Sequence, residues 1–190
     1  MVTSVERGRQ VRRRLLDAAA HLVAERGWAA VSTRALAERA GVAPGLVHYH
    51  FPSVQELRAE AAVDAARSVA DQVGRALAGT RHADDVAAAL LGVLDAHDGT
   101  DPVSVLLLEA YLAATRDEEL RRALGDVVVD LRGLVAARLT AHAAPEADAT
   151  AAVLVAAVDG LLLHRALTPG PGAGELTAAV RRLLGPGGAR

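Results

Sequence analysis

The sequence predicts an all-α protein, because of its composition and the spacing of its hydrophobic residues. Hydrophobic residues make up 52% of the 190 residues and aromatic residues only 2%, so alanine, valine and leucine must form most of the core. Alanine and leucine favour helices, and only glycine and proline interrupt the pattern. The hydrophobic residues also recur at three- and four-residue spacing, which is the period of an amphipathic helix. We expect about nine helices.

The composition also excludes several kinds of site. The chain has no cysteine, so disulfide bonds, thiolate nucleophiles and thiolate metal sites are excluded. No secretory signal is predicted, and the most apolar stretch, 149–163, is interrupted by Asp159 and falls short of the ~20 residues of a membrane span. We therefore expect a soluble, cytoplasmic protein with no membrane partner and no cofactor.

The net charge of -2 conceals an uneven distribution along the chain. Residues 1–51 carry eight arginines and four acidic residues, whereas the remaining residues carry 13 arginines and 19 acidic residues. A basic head followed by an acidic body indicates that only the head contacts a polyanion. A random scatter of surface charge is the alternative explanation.

Three helices are predicted in the basic head. The first spans residues 5–26, Gly27 is expected to end it in a left-handed conformation, and Trp28 is expected to fill the core of the head. Ser32 is the predicted N-cap of a second helix over 33–40. Pro44 suits the first position of a third helix that ends near residue 51. The predicted buried stripe of the first helix consists of Leu15, Leu16, Ala19, Leu22 and Val23.

Helices are also predicted throughout the rest of the chain. Ser53 is expected to cap a long helix that ends near residue 78. Glycine and proline residues divide the sequence that follows into separate segments. Further helices are predicted over 83–97, 102–115, 117–142, 147–168 and 174–184, with a frayed tail at 185–190.

The segment 32–51 meets the steric requirements of a helix-turn-helix, in which two short helices are joined by a tight turn. Gly41 can adopt the left-handed conformation that this turn requires, and Ala37 is small where the two helices cross. Such a unit places its second helix in the major groove of DNA. The residues expected to fill the core between the helices are Leu36, Val42 and Val47.

The motif and its neighbours resemble the tetracycline-repressor-like (TetR) family of transcriptional regulators. The resemblance is strong over residues 9 to about 60 and looser at 118–121 and 158–162. It implies a three-helix DNA-binding domain at 9–69, with the helix-turn-helix at about 32–51, and an effector-binding and dimerisation domain at 70–185. It is carried by Arg14-Leu15-Leu16-Asp17-Ala18-Ala19, Gly27, Ser32-Thr33-Arg34-Ala35-Leu36-Ala37, Ala40-Gly41-Val42 and His48-Tyr49-His50-Phe51.

This resemblance implies a ligand-responsive regulator, most simply a repressor, that binds a palindromic operator as a homodimer. Arginine suits guanine, hydroxyl and imidazole groups bond phosphate oxygens, and the Tyr49 ring suits a thymine methyl or a sugar. The opening Pro44-Gly45-Leu46 offers no side-chain donor, so base readout by this helix must depend on shape and apolar contact. The implied DNA-binding residues are Ser32, Thr33, Arg34, Pro44, Gly45, Leu46, His48, Tyr49 and His50.

Two positions depart from the family pattern, because His48 replaces a usual tyrosine and Val54 replaces a usual lysine. Losing that lysine removes a phosphate contact and predicts a weaker dependence of DNA affinity on salt. Arginines near the N-terminus could compensate by lying along the DNA backbone, and a solvated charge run is the alternative. These arginines are Arg7, Arg9, Arg12, Arg13 and Arg14.

No metal site is expected, although His48 and His50 form an H-x-H pair. Side chains two positions apart on a helix point about 200° away from each other, and no third ligand lies nearby in the sequence.

Dimerisation is expected because two heads about 34–36 Å apart read a palindrome. The helices over 117–142 and 147–168 are the predicted interface, since the second carries small and aliphatic residues that permit close approach. Packing within one subunit is the alternative. The predicted interface residues are Ala152, Val153, Ala156, Ala157, Gly160 and Leu161.

The resemblance also implies an effector cavity among the helices from 53 to 142 and part of 147–168. Leucine and valine walls with few aromatic rings favour an apolar or amphipathic effector. The long helix after Ser53 is the expected lever, because a ligand releases DNA only if it prefers the DNA-incompetent arrangement. The candidate pocket residues, each of which could instead be a surface or core residue, are Arg75, His97, Glu109, Tyr111 and His164.

Two alternative functions were compared with this one. An enzyme on a helical scaffold is disfavoured, because the sequence has no evident acid pair, Ser–His–Asp arrangement, glycine-rich phosphate loop or Glu-x-x-His motif. The second alternative is a helical interaction protein that has lost DNA binding. The one feature that favours it is Val54, which replaces the usual lysine and its phosphate contact.

Overall fold

The computed structural model describes residues 4–184, with side chains as far as residue 182. Over this range it confirms the all-α prediction, with nine α-helices and no strand. The expected frayed tail at 185–190 lies outside the described residues. The helices are α1 (Ser4–Arg26), α2 (Thr33–Ala40), α3 (Pro44–His50), α4 (Val54–Ala78), α5 (Ala83–Leu94), α6 (Pro102–Ala114), α7 (Glu118–Ala141), α8 (Ala147–Arg165) and α9 (Ala173–Leu184).

The chain forms two compact units. The first comprises Met1–Ala66 and Asp101–Leu124, and the second comprises Arg67–Thr100 and Gly125–Arg190. The helices α4 and α7 each continue from one unit into the other. Because α6 belongs to the first unit, that unit contains more than the three helices of the head, and the division between 69 and 70 stays a prediction.

The first unit is built on the hydrophobic stripe of α1. Four residues of the predicted stripe are buried, and Leu16 is half-buried. They pack with the inner faces of α2 and α3, so the head has one continuous core. The buried residues of these three helices and of the residue that follows α3 are Leu15, Ala18, Ala19, Leu22, Val23, Leu36, Ala37, Ala40, Val47 and Phe51.

Local capping sets the bounds of α2 as predicted. The Ser32 hydroxyl accepts a hydrogen bond from the Ala35 amide at 3.3 Å, which satisfies an amide that has no partner within the helix. At the other end, Gly41 adopts φ 63° and ψ 42°, the left-handed conformation that the tight turn requires. Pro44 then begins α3, where its missing N–H costs nothing.

Two expectations for the end of α1 are wrong. Gly27 has φ 80° and ψ 163°, which is not the left-handed helical conformation, because the chain continues directly into a 3-10 turn at Trp28–Ala30. Trp28 is half-buried on this turn rather than central in the core. Aliphatic side chains fill the interior, and the indole lies at its edge in contact with the Arg58 guanidinium.

The second unit has its own hydrophobic core, formed by α4, α5, α7 and α8. Arg138 ties the end of α4 to α7, since its Nε lies 2.6 Å from Thr80 Oγ1. Arg165 of α8 donates to the Leu94 carbonyl at 2.6 Å and satisfies one of the last carbonyls of α5. The largest residues of this core are Val73, Leu77, Val86, Leu90, Val135, Leu139, Leu154 and Val155.

Close approach of backbones fixes the segment after α5. Gly99 has φ 85°, and a Cβ atom added there would lie 2.5 Å from the Ala166 amide nitrogen. Only glycine avoids both the strained dihedral and this clash. The segment is consequently pinned against the C-terminal end of α8, and α5 ends at Leu94, three residues earlier than predicted.

Candidate nucleic-acid interface

The short helix α3 presents almost all of its side chains to solvent. Val47 is its one buried residue and anchors the helix to the core. Two large, partly apolar side chains are exposed to water, because Tyr49 is 80% exposed and Leu46 is 37% exposed. Pro44 and Gly45, at the start of the helix, are also exposed. The outer surface of α3 is therefore accessible to another molecule.

The start of α2 lies beside α3 and extends the same surface. Ser32 and Arg34 are exposed and Thr33 is half-buried. The Thr33 hydroxyl lies 3.5 Å from the Nε2 atom of His48, so the two helices of the predicted motif meet through polar side chains. Hydroxyl, imidazole and guanidinium groups therefore surround the exposed end of α3, and these groups suit phosphate oxygens and base edges.

The two histidines of α3 have different surroundings. His48 is exposed near Thr33, whereas His50 is half-buried and its ring meets the Tyr49 ring edge-on at 5.1 Å between centroids. The start of α1 also approaches here, since a Cβ atom on Gly8 would lie 3.9 Å from His50. Within residues 4–184, no group of three histidine or acidic side chains could hold a metal ion.

One of the N-terminal arginines has an intramolecular role. The Arg12 guanidinium lies 4.3 Å from the centroid of the Phe51 ring and pairs with the Glu60 carboxylate at 2.5 Å. A cation–π contact and an ion pair therefore hold the Arg12 charge within the head, between α1, the residue after α3 and α4, and a contact of Arg12 with the DNA backbone stays a prediction. The other four, Arg7, Arg9, Arg13 and Arg14, are exposed.

The predicted effector-pocket residues are divided between the two units. In the first unit, Glu109 accepts a hydrogen bond from the Trp28 amide at 3.2 Å, and Tyr111 is partly exposed. In the second unit, Arg75 and His164 are exposed and His97 is half-buried. The assignment of these five residues to a pocket stays a prediction.

A groove between α4 and α7 in the second unit lies among the helices where an effector cavity is expected, although none of its lining residues was predicted. It encloses about 410 Å³, within the range of small-molecule sites. Its floor is aliphatic, whereas its rim carries three carboxylates and one guanidinium. No motif in the sequence signals it, because its lining residues on α4 and those on α7 are far apart in the chain. The lining residues are Arg67, Ala70, Asp71, Asp126, Val127, Asp130, Leu131 and Leu134.

The helix α8 is apolar on the face that points away from the core of its unit. Val153 is 64% exposed and Leu163 46% exposed, while Ala151, Leu154 and Val155 on the opposite face are buried. Of the predicted interface residues, Ala156 and Ala157 are also exposed and Ala152, Gly160 and Leu161 are half-buried. Leu163 on this helix and Leu167, just after its end, are also exposed and were not predicted.

The same helix is long and apolar enough to cross a membrane by length and composition alone, and it is the one such helix within the described range. Its mean hydropathy is 1.5, and only 17% of the apolar window is buried inside one subunit. A core helix of a soluble assembly has the same composition, so this finding shows only that the outer face lacks a cover within one subunit.

Asp159 lies on the flank of this helix. Burial raises the pKa of its carboxyl to about 6, and the positive charge of Arg132 on α7 opposes this rise only in part. A carboxylate at this place is consequently costly near neutral pH, because it is desolvated more than it is paired.

Two family models match the chain. The bacterial regulatory proteins of the tetR family match residues 15–61, and the tetracyclin repressor-like C-terminal domain matches residues 81–186. Together with the exposed helix-turn-helix, these matches define a DNA-binding transcriptional regulator. The chain belongs to the TetR family, a family of ligand-responsive regulators rather than enzymes.

Individual relatives agree with this assignment. The HTH-type transcriptional regulator BetI of Rhizobium meliloti (strain 1021) is 29% identical over 171 residues, covering 89% of this chain and 84% of that protein. A transcriptional regulator from Streptomyces coelicolor A3(2) is 30% identical with a TM-score of 0.74, covering 92% of this chain and 98% of its own. The multidrug binding protein EbrR, complexed with malachite green, is 32% identical with a TM-score of 0.66, covering 92% and 98%.

We predict that Asp159→Asn stabilises the protein near neutral pH. The raised pKa means that the folded state holds more protons than the unfolded state between about pH 4 and pH 6, so wild-type stability falls as pH rises through this window. Asparagine removes this dependence, and a gain of about 2 kcal/mol is expected at pH 7.5 and almost none at pH 4. Urea unfolding at fixed protein concentration measures both values.

The matched control is Asp148→Asn, which removes an exposed carboxylate from the same helix. It should leave the pH profile of stability unchanged. If the free energy of unfolding of Asp159→Asn changed with pH in parallel with that of the wild type, Asp159 would not be the titrating group.

Proposed function

We propose that this protein is a homodimeric repressor in the cytoplasm, which binds a palindromic operator and releases it when a small effector binds. The observation that carries this proposal is the exposure of α3, from which only Val47 is withdrawn into the core. A helix held in this way by a single buried residue is free to enter the major groove over its whole outer surface.

We assign the recognition chemistry to side chains of α2 and α3. Arg34 would donate to a guanine edge or a phosphate, and Thr33 and His48 would donate to phosphate oxygens. Tyr49 would place its ring against a thymine methyl or a sugar, because its exposure leaves the whole ring available. Ser32 and His50 would add backbone contacts, and the small Pro44-Gly45-Leu46 opening would let the helix approach the bases closely.

We propose that a second copy of the chain covers the outer face of α8. A face with Val153, Leu163 and Leu167 exposed to water is unfavourable in a lone subunit. The alanines and Gly160 between these residues allow two such helices to approach closely about a twofold axis. Association through α8 would provide the two heads that a palindrome requires, since each operator half-site binds one head.

For the effector, we propose an amphipathic organic cation. The aliphatic composition predicts an apolar or amphipathic molecule. The acidic groove between α4 and α7 further indicates that this molecule is positively charged. Its aliphatic floor suits an apolar body, and Asp71, Asp126 and Asp130 outweigh the one positive charge of Arg67. EbrR binds malachite green and ethidium, which are aromatic cations.

Release of the operator would follow from a change in α4. This helix begins beside the DNA-binding surface and carries Arg67, Ala70 and Asp71 of the groove further along. A cation that binds better to the DNA-incompetent arrangement would shift the population toward it. Displacement of α4 would then change the separation of the two heads and end their match to the helical repeat of DNA.

We predict that Tyr49→Ala and Arg34→Ala each weaken operator binding about ten- to a hundredfold, because each removes a base or phosphate contact. The operator is a duplex selected from a random library by the wild-type protein, and affinity is measured by fluorescence anisotropy at fixed salt. Both variants should remain dimeric and fully helical.

Arg182→Ala is the matched control, because it removes an exposed arginine from α9 in the second unit. It should bind the operator as the wild type does. Unchanged affinity in both Tyr49→Ala and Arg34→Ala would contradict the assigned surface and favour an interaction protein that does not bind DNA.

We predict that Val153→Asp produces a folded monomer. An aspartate on each copy would place a desolvated, unpaired charge in the α8 interface, which strongly disfavours association. Sedimentation equilibrium reports the subunit number. Val5→Asp is the control, because Val5 is 61% exposed on α1 and should tolerate the same substitution without dissociation. A dimer of unchanged affinity in Val153→Asp would place the interface elsewhere.

We predict that the double variant Asp71→Asn/Asp130→Asn binds malachite green about tenfold more weakly than the wild type. The substitutions remove two attractive charges and preserve side-chain size. The dye absorbance is titrated without DNA. Asp148→Asn should leave the affinity unchanged, and equal binding by all proteins would show that the groove does not hold the cation.

A further inference from the structure

The 3-10 turn Trp28–Ala30 occupies a sensitive place in the DNA-binding head. It follows the end of α1 and leads through the buried Val31 to Ser32, which caps α2. Thr33 and Arg34 of the proposed DNA surface come next in sequence. Because only a few residues separate the turn from this surface, a displacement of Trp28 would shift the first residues of α2 in space.

Two charged side chains from other helices hold both backbone groups of Trp28. The Glu109 carboxylate of α6 accepts a hydrogen bond from the Trp28 amide at 3.2 Å. Arg58 of α4 donates a hydrogen bond to the Trp28 carbonyl oxygen. The Arg58 guanidinium also lies 5.3 Å from the centroid of the indole ring, in cation–π contact. The backbone N–H, the backbone carbonyl and the indole ring of Trp28 are therefore all in contact with charged side chains.

The environment of Arg58 indicates that this arrangement is specific rather than a chance surface contact. Its side chain is half-buried, its Nε has no hydrogen-bond partner among residues 4–182, and desolvation lowers its pKa. Partial burial of a guanidinium is costly, so its contacts with Trp28 must offset that cost. The surrounding α6 is well anchored, because Leu106, Leu107 and Ala110 are buried.

We infer that Glu109 and Arg58 are positioning residues for DNA recognition, which hold Trp28 so that the start of α2 is aligned with α3. This inference rests on the proposed DNA-binding function. It removes Glu109 from the effector pocket and makes α6, a helix outside the helix-turn-helix, part of the DNA-binding unit. The role differs from general stabilisation because it acts on the geometry of the exposed surface.

The test compares binding to the selected operator with binding to a scrambled duplex. Glu109→Ala removes the acceptor from the Trp28 amide and should lower operator affinity about tenfold, while scrambled-duplex affinity changes less than twofold. Glu109→Gln retains an acceptor oxygen and should restore operator affinity to within about threefold. Trp28 is the single tryptophan of the chain, so its emission should shift to longer wavelength in Glu109→Ala and not in Glu109→Gln.

Glu119→Ala is the matched control, because it removes an exposed carboxylate from the same unit. It should leave operator affinity and emission unchanged. Wild-type operator affinity in Glu109→Ala, or an equal loss on both duplexes with a lowered melting temperature, would overturn the inference. If the wild type itself selects no duplex, the proposed function fails, whereas the emission shift still reports whether Glu109 holds Trp28.

Discussion

The proposed DNA-binding surface depends on one packing constraint, the attachment of α3 to the head through Val47. The seven-residue helix α3 buries only Val47, so most of its other side chains stay exposed, and His50 is half-buried. Phe51, directly after the helix, is also buried and lies beneath the Arg12 guanidinium. These two anchors fix the direction of α3 without using any of its exposed residues, which remain available for recognition.

The surface of α8 imposes a second constraint, which acts on the assembly. In most surface helices the outward face is polar, because exposed apolar surface is unfavourable in water. Here the outward face carries valine, leucine and alanine, and Asp159 lies on its flank, where burial raises the pKa of the carboxyl. The helix is therefore suited to an environment with protein on both faces, and a second copy supplies it most simply.

Within each unit, arginine side chains connect helices at the edge of the aliphatic core. In the first unit Arg12 and Arg58 bridge helices through aromatic rings, and in the second Arg138 and Arg165 donate to carbonyls at and just after helix ends. All four act through their guanidinium groups, which offer several donors in a plane and stack on rings. In a chain whose basic residues are all arginine, only the structure separates such bridging arginines from those free to contact DNA.

The sequence by itself determined the helices, the cap at Ser32, the turn at Gly41 and the outward display of α3, because these features depend on residues close together in the chain. Short-range spacing also identified the apolar face of α8, although not its extension to Leu163 and Leu167. Only the tertiary structure decided the roles of Arg12, Trp28 and Glu109 and revealed the acidic groove. Each of these depends on contacts between residues far apart in sequence, such as Trp28 with Glu109, and no local pattern encodes which distant side chains will meet.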